Sequence, residues 1–134
     1  PEDDDFKSSD LHSLKNIFFI GRKNEPELPA YVSRFDVCLN PQLINQLTIG
    51  NYPRKVDEYL AMGKPVVATA TETMEAFAHC TYLCNGSEAY MSAIEKALAE
   101  DDAEKQEMRR DVAASHSWEN SINLFYNAVA ALHK

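Results

Sequence analysis

One stretch of seventeen residues, Pro53–Thr69, narrows the folds open to this chain more than any other. It reads Pro-Arg-Lys-Val-Asp-Glu-Tyr-Leu-Ala-Met-Gly-Lys-Pro-Val-Val-Ala-Thr. Pro53 suits the first position of a helix, where its missing N–H is not needed. Val56, Tyr59, Leu60 and Gly63 recur at helical spacing and define one apolar face. Gly63 supplies the left-handed residue past the helix end, and Pro65 prevents the helix from resuming. The residues from Pro65 to Thr69 then read as a short strand buried on both faces, as in a parallel sheet.

The rest of the chain extends this pattern. A buried strand is expected at Asn16–Ile20, ending at Gly21, and a short helix from Glu25 to about Phe35, opened by Pro26. A second strand is expected at Asp36–Asn40, followed by a long loop, Pro41–Tyr52, without helical or strand period. Beyond the Pro53–Thr69 unit come a loop with a helical turn at Glu72–Ala78 and a fourth strand at Thr81–Cys84, stopped by Asn85-Gly86. Two helices are expected at Ser87–Ala99 and Ala103–Ser115, the first with Tyr90, Met91, Ile94, Ala97 and Leu98 on one face. Ser117 looks like the N-cap of a last helix in which Trp118, Ile122, Phe125, Val129 and Leu132 share a stripe, either core or interface. Strand–helix alternation of this kind predicts an α/β fold: a Rossmann-like parallel sheet with helices on both faces. Right-handed crossovers bring the loops at 21–25, 41–52 and 69–75 to the sheet edge where such folds bind ligands. Residues 1–14 are expected to form an acidic, flexible lead-in and residues 15–134 one domain of this Rossmann-like type.

Charge and cysteine usage remove several function classes. A net charge of −8 argues against a nucleic-acid partner, which needs clustered Lys and Arg. The acids are concentrated in Glu2–Asp5 and around Glu100–Glu107, whereas the central loops carry Arg22, Lys23, Arg54, Lys55 and Lys64. Local charge within a Debye length governs a bound phosphate more than the total does. No apolar run is long enough to span a bilayer, and there is no leader of the export type. The chain opens at Pro1 rather than Met, and a piece of something longer is the expectation. Cys38, Cys80 and Cys84 show no CxxC spacing, and His79 with Cys80 and Cys84 lacks a fourth ligand for zinc. Reduced thiols in a cytoplasmic protein, with no metal and no cofactor, are the expectation.

The motif Pro53-x-Lys55-x-x-Glu58-Tyr59-Leu60-Ala61-x-Gly63-Lys64-Pro65-Val66-Val67 resembles the signature of the donor-binding C-terminal domain of GT-B-fold glycosyltransferases, in particular the bacterial retaining type of group 1, or family 4. Asn16–Gly21, Glu27-Leu-Pro-x-Tyr31 and Asp36-Val-x-Leu-x-Pro41 fall in the family's order, so the resemblance covers about residues 14–132. It implies a transferase that moves a sugar from a nucleotide-diphosphate sugar, UDP- or GDP-linked, to an acceptor, with bacterial glycan or polysaccharide assembly as the setting. Against the family's usual sheet of about six strands, it also implies that the first βα units and an N-terminal acceptor domain are absent. Residues 15–134 are therefore expected to be a partial nucleotide-sugar-binding domain of the Rossmann-like type, catalytically silent alone.

Candidate site residues follow from the motif and the loops. A carboxylate near a helix start, Glu58, can accept hydrogen bonds from both ribose hydroxyls; the matching family residue does so, and the alternative is a surface ion pair with Arg54 or Lys55. Lys55, with the free N–H groups of the turn after Pro53, would attract a diphosphate, and is otherwise a solvated lysine. Gly21 and Arg22 sit where the family's backbone meets the nucleobase, and Asn40 and Pro41 end a strand facing the same cleft. Counting eight positions back from Glu58, where many relatives carry a sugar-binding glutamate, reaches Gly50. Asn45, Thr48 or Asn51 then become the candidates to replace its hydrogen bonds, or Gly50 lets loop N–H groups approach the ligand. The competing readings are a non-enzymatic α/β module and a sugar-nucleotide epimerase of the same fold. A receiver-type module is disfavoured because Asp36 begins its strand instead of ending it.

Overall fold

The computed structural model describes residues 4–46 and 48–132. Its elements are α1 (Asp4–Lys7), α2 (Leu28–Val32), β1 (Cys38–Asn40), α3 (Arg54–Ala61), β2 (Val66–Thr69), β3 (Tyr82–Cys84), α4 (Ser87–Glu100), α5 (Ala103–Ser115) and α6 (Trp118–Leu132). Turns of 3-10 helix at Asp10–Ser13, Glu25–Glu27 and Glu72–Phe77 complete it. The three strands lie side by side in the order β1-β2-β3, all parallel, with Leu39 opposite Val67 and Ala68 opposite Leu83.

Period-two alternation along β2 divides the core between the two faces of the sheet. Val66 and Ala68 face α3 and α5, where they join Val32, Cys38, Val56, Leu60, Met74, Phe77 and Cys80. Val67 faces α4 and packs with Cys84 and Ala97. The expected parallel sheet with helices on both faces is thus present, with β2 at its centre. Helix α3 ends as the sequence dictates: Gly63 adopts φ +70°, and the Gly63 N–H donates to the Leu60 carbonyl at 2.8 Å. Behind that turn the Arg109 side chain, 1% exposed, donates to the Gly63 carbonyl at 3.1 Å and pairs with Asp101, fixing α5 against the α3–β2 corner.

The structure corrects several expectations. Asn16–Ile20 is not a strand, and Phe18, Phe19 and Ile20 are exposed. A strand buried on both faces needs a ladder partner and two covering layers, and this segment has neither. Instead Phe19 turns back on the lead-in, its ring centroid 4.6 Å from that of His12 and 5.3 Å from that of Phe6. The lead-in itself carries α1 and a 3-10 turn; Glu2 and Asp3 lie outside the described residues, as does His133. The helix expected from Glu25 to Phe35 is divided into a 3-10 turn and α2, with Pro26 and Pro29 each near a first turn. Pro53 occupies the N-cap of α3, at φ −84° and ψ 67°, one residue ahead of its expected place. On α4 the buried face runs through Ala89, Tyr90, Ala93, Ile94 and Ala97, leaving Met91 and Leu98 exposed. Helix α6, capped by the Ser117 hydroxyl accepting from the Asn120 N–H at 3.2 Å, buries none of its stripe, so the core reading fails there.

Candidate functional site

The βαβ unit β1–α3–β2 delivers the N-terminus of α3 to the edge formed by the strand C-termini. Beside it lies a groove of about 600 Å³. Arg54, Asp57 and Glu58 of α3 line it on one side, with Tyr52 from the preceding loop; Phe77, His116 and Trp118 come from three other segments. Glu58 is exposed and makes no hydrogen bond or ion pair among the described residues, so the ion-pair alternative with Arg54 or Lys55 is not what the structure contains. Lys55 is also exposed and unpaired among the described residues, but it does not line the groove; Arg54 is the cation that does.

The groove wall is held by a network that the sequence did not reveal. The Tyr52 hydroxyl donates to Asp57 Oδ2 at 2.7 Å, and His116 Nδ1 donates to Asp57 Oδ1 at 2.8 Å. Burial, the hydrogen bond to Asp57 and the negative charge of Asp57 together push the Tyr52 hydroxyl up to about 12. The Phe77 ring meets His116 edge-on at 5.3 Å and lies 6.0 Å from Tyr52. His116 stands 59 residues from Asp57, a separation at which no local pattern signals contact.

Other expected site residues lie elsewhere. Asn40 ends β1, and its carbonyl accepts from the Tyr90 hydroxyl at 3.4 Å. Pro41 lines a second cavity, of about 520 Å³, over the strand C-termini with Leu43, Thr69, Gly86 and Tyr90. Thr69 anchors that corner: its hydroxyl accepts from the Gln42 N–H at 2.9 Å and bonds the Tyr90 hydroxyl at 2.8 Å. The 41–52 loop is locally ordered by its own polar groups. Thr48 N–H donates to Asn45 Oδ1 at 3.1 Å, Asn45 N–H donates to Thr48 Oγ1 at 3.0 Å, and the Asn51 carbonyl accepts from Thr73. Asn45, Gly50 and Asn51 line neither cavity. Gly21, at φ +69°, and Arg22 are exposed in the unpaired segment before α2 and are not brought to the groove. Pro53 is buried beneath the first turn of α3.

The thiols take no part in the groove. All three are free and buried, and burial pushes both Cys38 and Cys80 up to about 11. Among the described residues no group of three His, Cys, Asp or Glu side chains is arranged to hold a metal ion, and no helix is long and apolar enough to cross a membrane.

The family model for "Glycosyl transferases group 1" matches residues 1–100. The chain belongs to that family. A protein of Bacillus subtilis (strain 168) named "Putative teichuronic acid biosynthesis glycosyltransferase TuaH" is 29% identical over 119 residues, which is 85% of this chain and 30% of that protein. The chain therefore spans less than a third of the length of this relative. No solved structure matches it. Family membership covers β1, α3 and β2, hence the Glu58 motif and the groove wall it carries.

Proposed function

We propose that this chain holds the nucleotide of a nucleotide-diphosphate sugar for a glycosyltransferase, with the ribose hydroxyls on the Glu58 carboxylate. The observation that carries the reading is Glu58 itself: an exposed carboxylate without a protein partner among the described residues, a little over one turn into α3, on a groove with aromatic walls. A solvated carboxylate pointing into a concavity is available to accept two hydroxyl hydrogens, and charge-assisted bonds of that kind are about twice as strong as neutral ones. The diphosphate is met at the first turn of α3 by Arg54 on the groove wall, with the charge of Lys55 close outside the groove. The donor sugar falls toward the 41–52 loop, where Asn45, Gly50 and Asn51 lie. UDP or GDP is the nucleotide, and the acceptor belongs to bacterial polysaccharide assembly, as the name of the relative suggests by analogy. Transfer itself requires an acceptor-binding domain, so the chain by itself binds donor nucleotide without turnover, in the cytoplasm where such donors are made.

The test is a comparison of UDP with its 2′-deoxy analogue, repeated with the guanosine pair. We expect wild-type affinity near the millimolar end of the scale, about 1 mM, and a loss of about tenfold or more for the deoxy form, the size of one hydrogen bond to a charged group. In Glu58→Ala the ribose and deoxyribose forms should bind equally and weakly. A Glu58→Ala variant that still prefers the ribonucleotide would overturn the assignment.

A further inference from the structure

We propose that Asp57 is a positioning residue that assembles the nucleotide groove, drawing the walls carried by Tyr52 and His116 onto the helix that presents Glu58. The inference rests on the reading of Glu58 just given and concerns the residue beside it. Three segments meet at one carboxylate: the end of the 41–52 loop through Tyr52 and α3 through Asp57 itself, neighbours in the chain, and the α5–α6 junction through His116, 59 residues away. Both oxygens of Asp57 are used, one for each wall, at 2.7 and 2.8 Å. The Asp57 and His116 side chains retain only 24% and 32% exposure, so water screens the contact less than it screens a surface pair.

The groups around Asp57 make a fixed geometry the natural outcome. Phe77 packs on both the Tyr52 and the His116 ring and closes the bottom of the groove. Arg54 and Glu58, the charged neighbours on the same helix, face the groove and engage neither Tyr52 nor His116. Past His116 the chain enters α6, whose Trp118, Ser121 and Leu124 form the remaining wall although α6 buries no residue of its own. The His116–Asp57 contact is thus a polar tie between that wall and the body of the domain. Removing it widens the groove and leaves Glu58 facing a ligand with no opposite surface to hold the base.

The protein has a single tryptophan, Trp118, which makes its emission a reporter of this groove alone. UDP and GDP are titrated into wild type, Asp57→Asn, Tyr52→Phe, His116→Gln, Glu58→Ala, the Tyr52→Phe/His116→Gln double variant and that double variant with Asp57→Asn added. Trp118 emission and saturation-transfer NMR of the nucleotide are read side by side. Loss of one or two hydrogen bonds predicts an affinity drop of about fivefold for Asp57→Asn and about two- to threefold for Tyr52→Phe or His116→Gln. Because Asp57 acts through the walls carried by Tyr52 and His116, adding Asp57→Asn to the Tyr52→Phe/His116→Gln background should cost less than about twofold. An equal loss from Asp57→Asn in the wild-type and Tyr52→Phe/His116→Gln backgrounds marks general loosening and overturns the proposal. So does an unchanged affinity in Asp57→Asn, which leaves the Glu58 reading intact. An unchanged affinity in Glu58→Ala, or no binding by wild type, overturns both. Should Asp57→Asn fail to fold, Tyr52→Phe and His116→Gln each remove one arm of the network and decide the question.

Discussion

Two segments of this chain, Val66–Ala68 and Phe18–Ile20, are both wholly apolar and reach opposite ends. The first is wholly buried at the centre of the sheet, with β1 on one side and β3 on the other. The second is exposed, with Phe18 at 79%, and pairs with nothing in the sheet. What separates them is the neighbourhood that the flanking sequence brings. Val66 follows a helix whose glycine stop returns the chain directly under its own apolar face, so that Leu60 and Val56 cover the strand as it forms. The segment at 18–20 is preceded by a polar lead-in and followed by a loop, and its only ring contacts among the described residues, Phe19 with Phe6 of the four-residue α1 and with His12, leave Phe18 and Ile20 exposed. Apolar residues make a strand only where a ladder partner and a cover arrive together.

The contrast can be broken or sharpened by substitution. The largest effect belongs to Phe77→Ala: Phe77 is fully buried under β2, and its loss should cost about 3–5 kcal/mol in urea unfolding. Gly63→Ala comes next. A Cβ there would lie 3.1 Å from the Gln106 carbonyl and 2.5 Å from the Arg110 side chain, at a φ of +70° that L residues avoid. The left-handed conformation alone predicts about 1–2 kcal/mol, and the backbone contact adds to it. Phe18→Ala should change stability by no more than about 0.5 kcal/mol, as at exposed sites in general. A loss of several kcal/mol there would mean that the segment is held as firmly as β2, and the contrast would fall.

The smallest effect is a proton. Tyr52 ionises near 12 in the folded chain against an ordinary value of 10, so the native state holds that proton longer than the unfolded one. Its contribution is complete below pH 10 and is lost as the pH rises toward 12. Absorbance titration of the tyrosines should show a late-ionising phase that shrinks in Tyr52→Phe, the remainder coming from Tyr59, Tyr82 and Tyr90, which burial also pushes up. A late phase unaltered by the substitution would place that hydroxyl outside the Asp57 network.

Legibility in the sequence followed the range of the interaction. The helix, glycine stop and strand of 53–69 are set by contacts a few residues apart, and they stand where the residues place them, with Pro53 displaced by one position. The same holds for α4, α5 and the Ser117 cap. What pattern did not resolve was decided at long range: whether 16–20 finds a partner, which face of α4 turns inward at Met91 and Leu98, and whether the stripe on α6 has a cover. Glu58, which lines the groove, was singled out by its motif. Asp57 was not, because its meaning depends on His116, brought to it only by the packing of α5 on α3. Arg54 displaces Lys55 at the groove for a related reason: neighbours on a helix differ by about 100° in direction, and only the packing tells which of them faces in.

The outer side of β1 carries one further consequence. Among the described residues that strand is bonded to β2 alone, and it is three residues long, with Leu39 partly bare. A strand closing this rim would gain only a few ladder bonds, about 1 kcal/mol apiece, and would take the rest of its hold from shielding Leu39. So short a seam favours a neighbour delivered by its own chain over a stranger from solution, since the tethered one forgoes the translational cost of association.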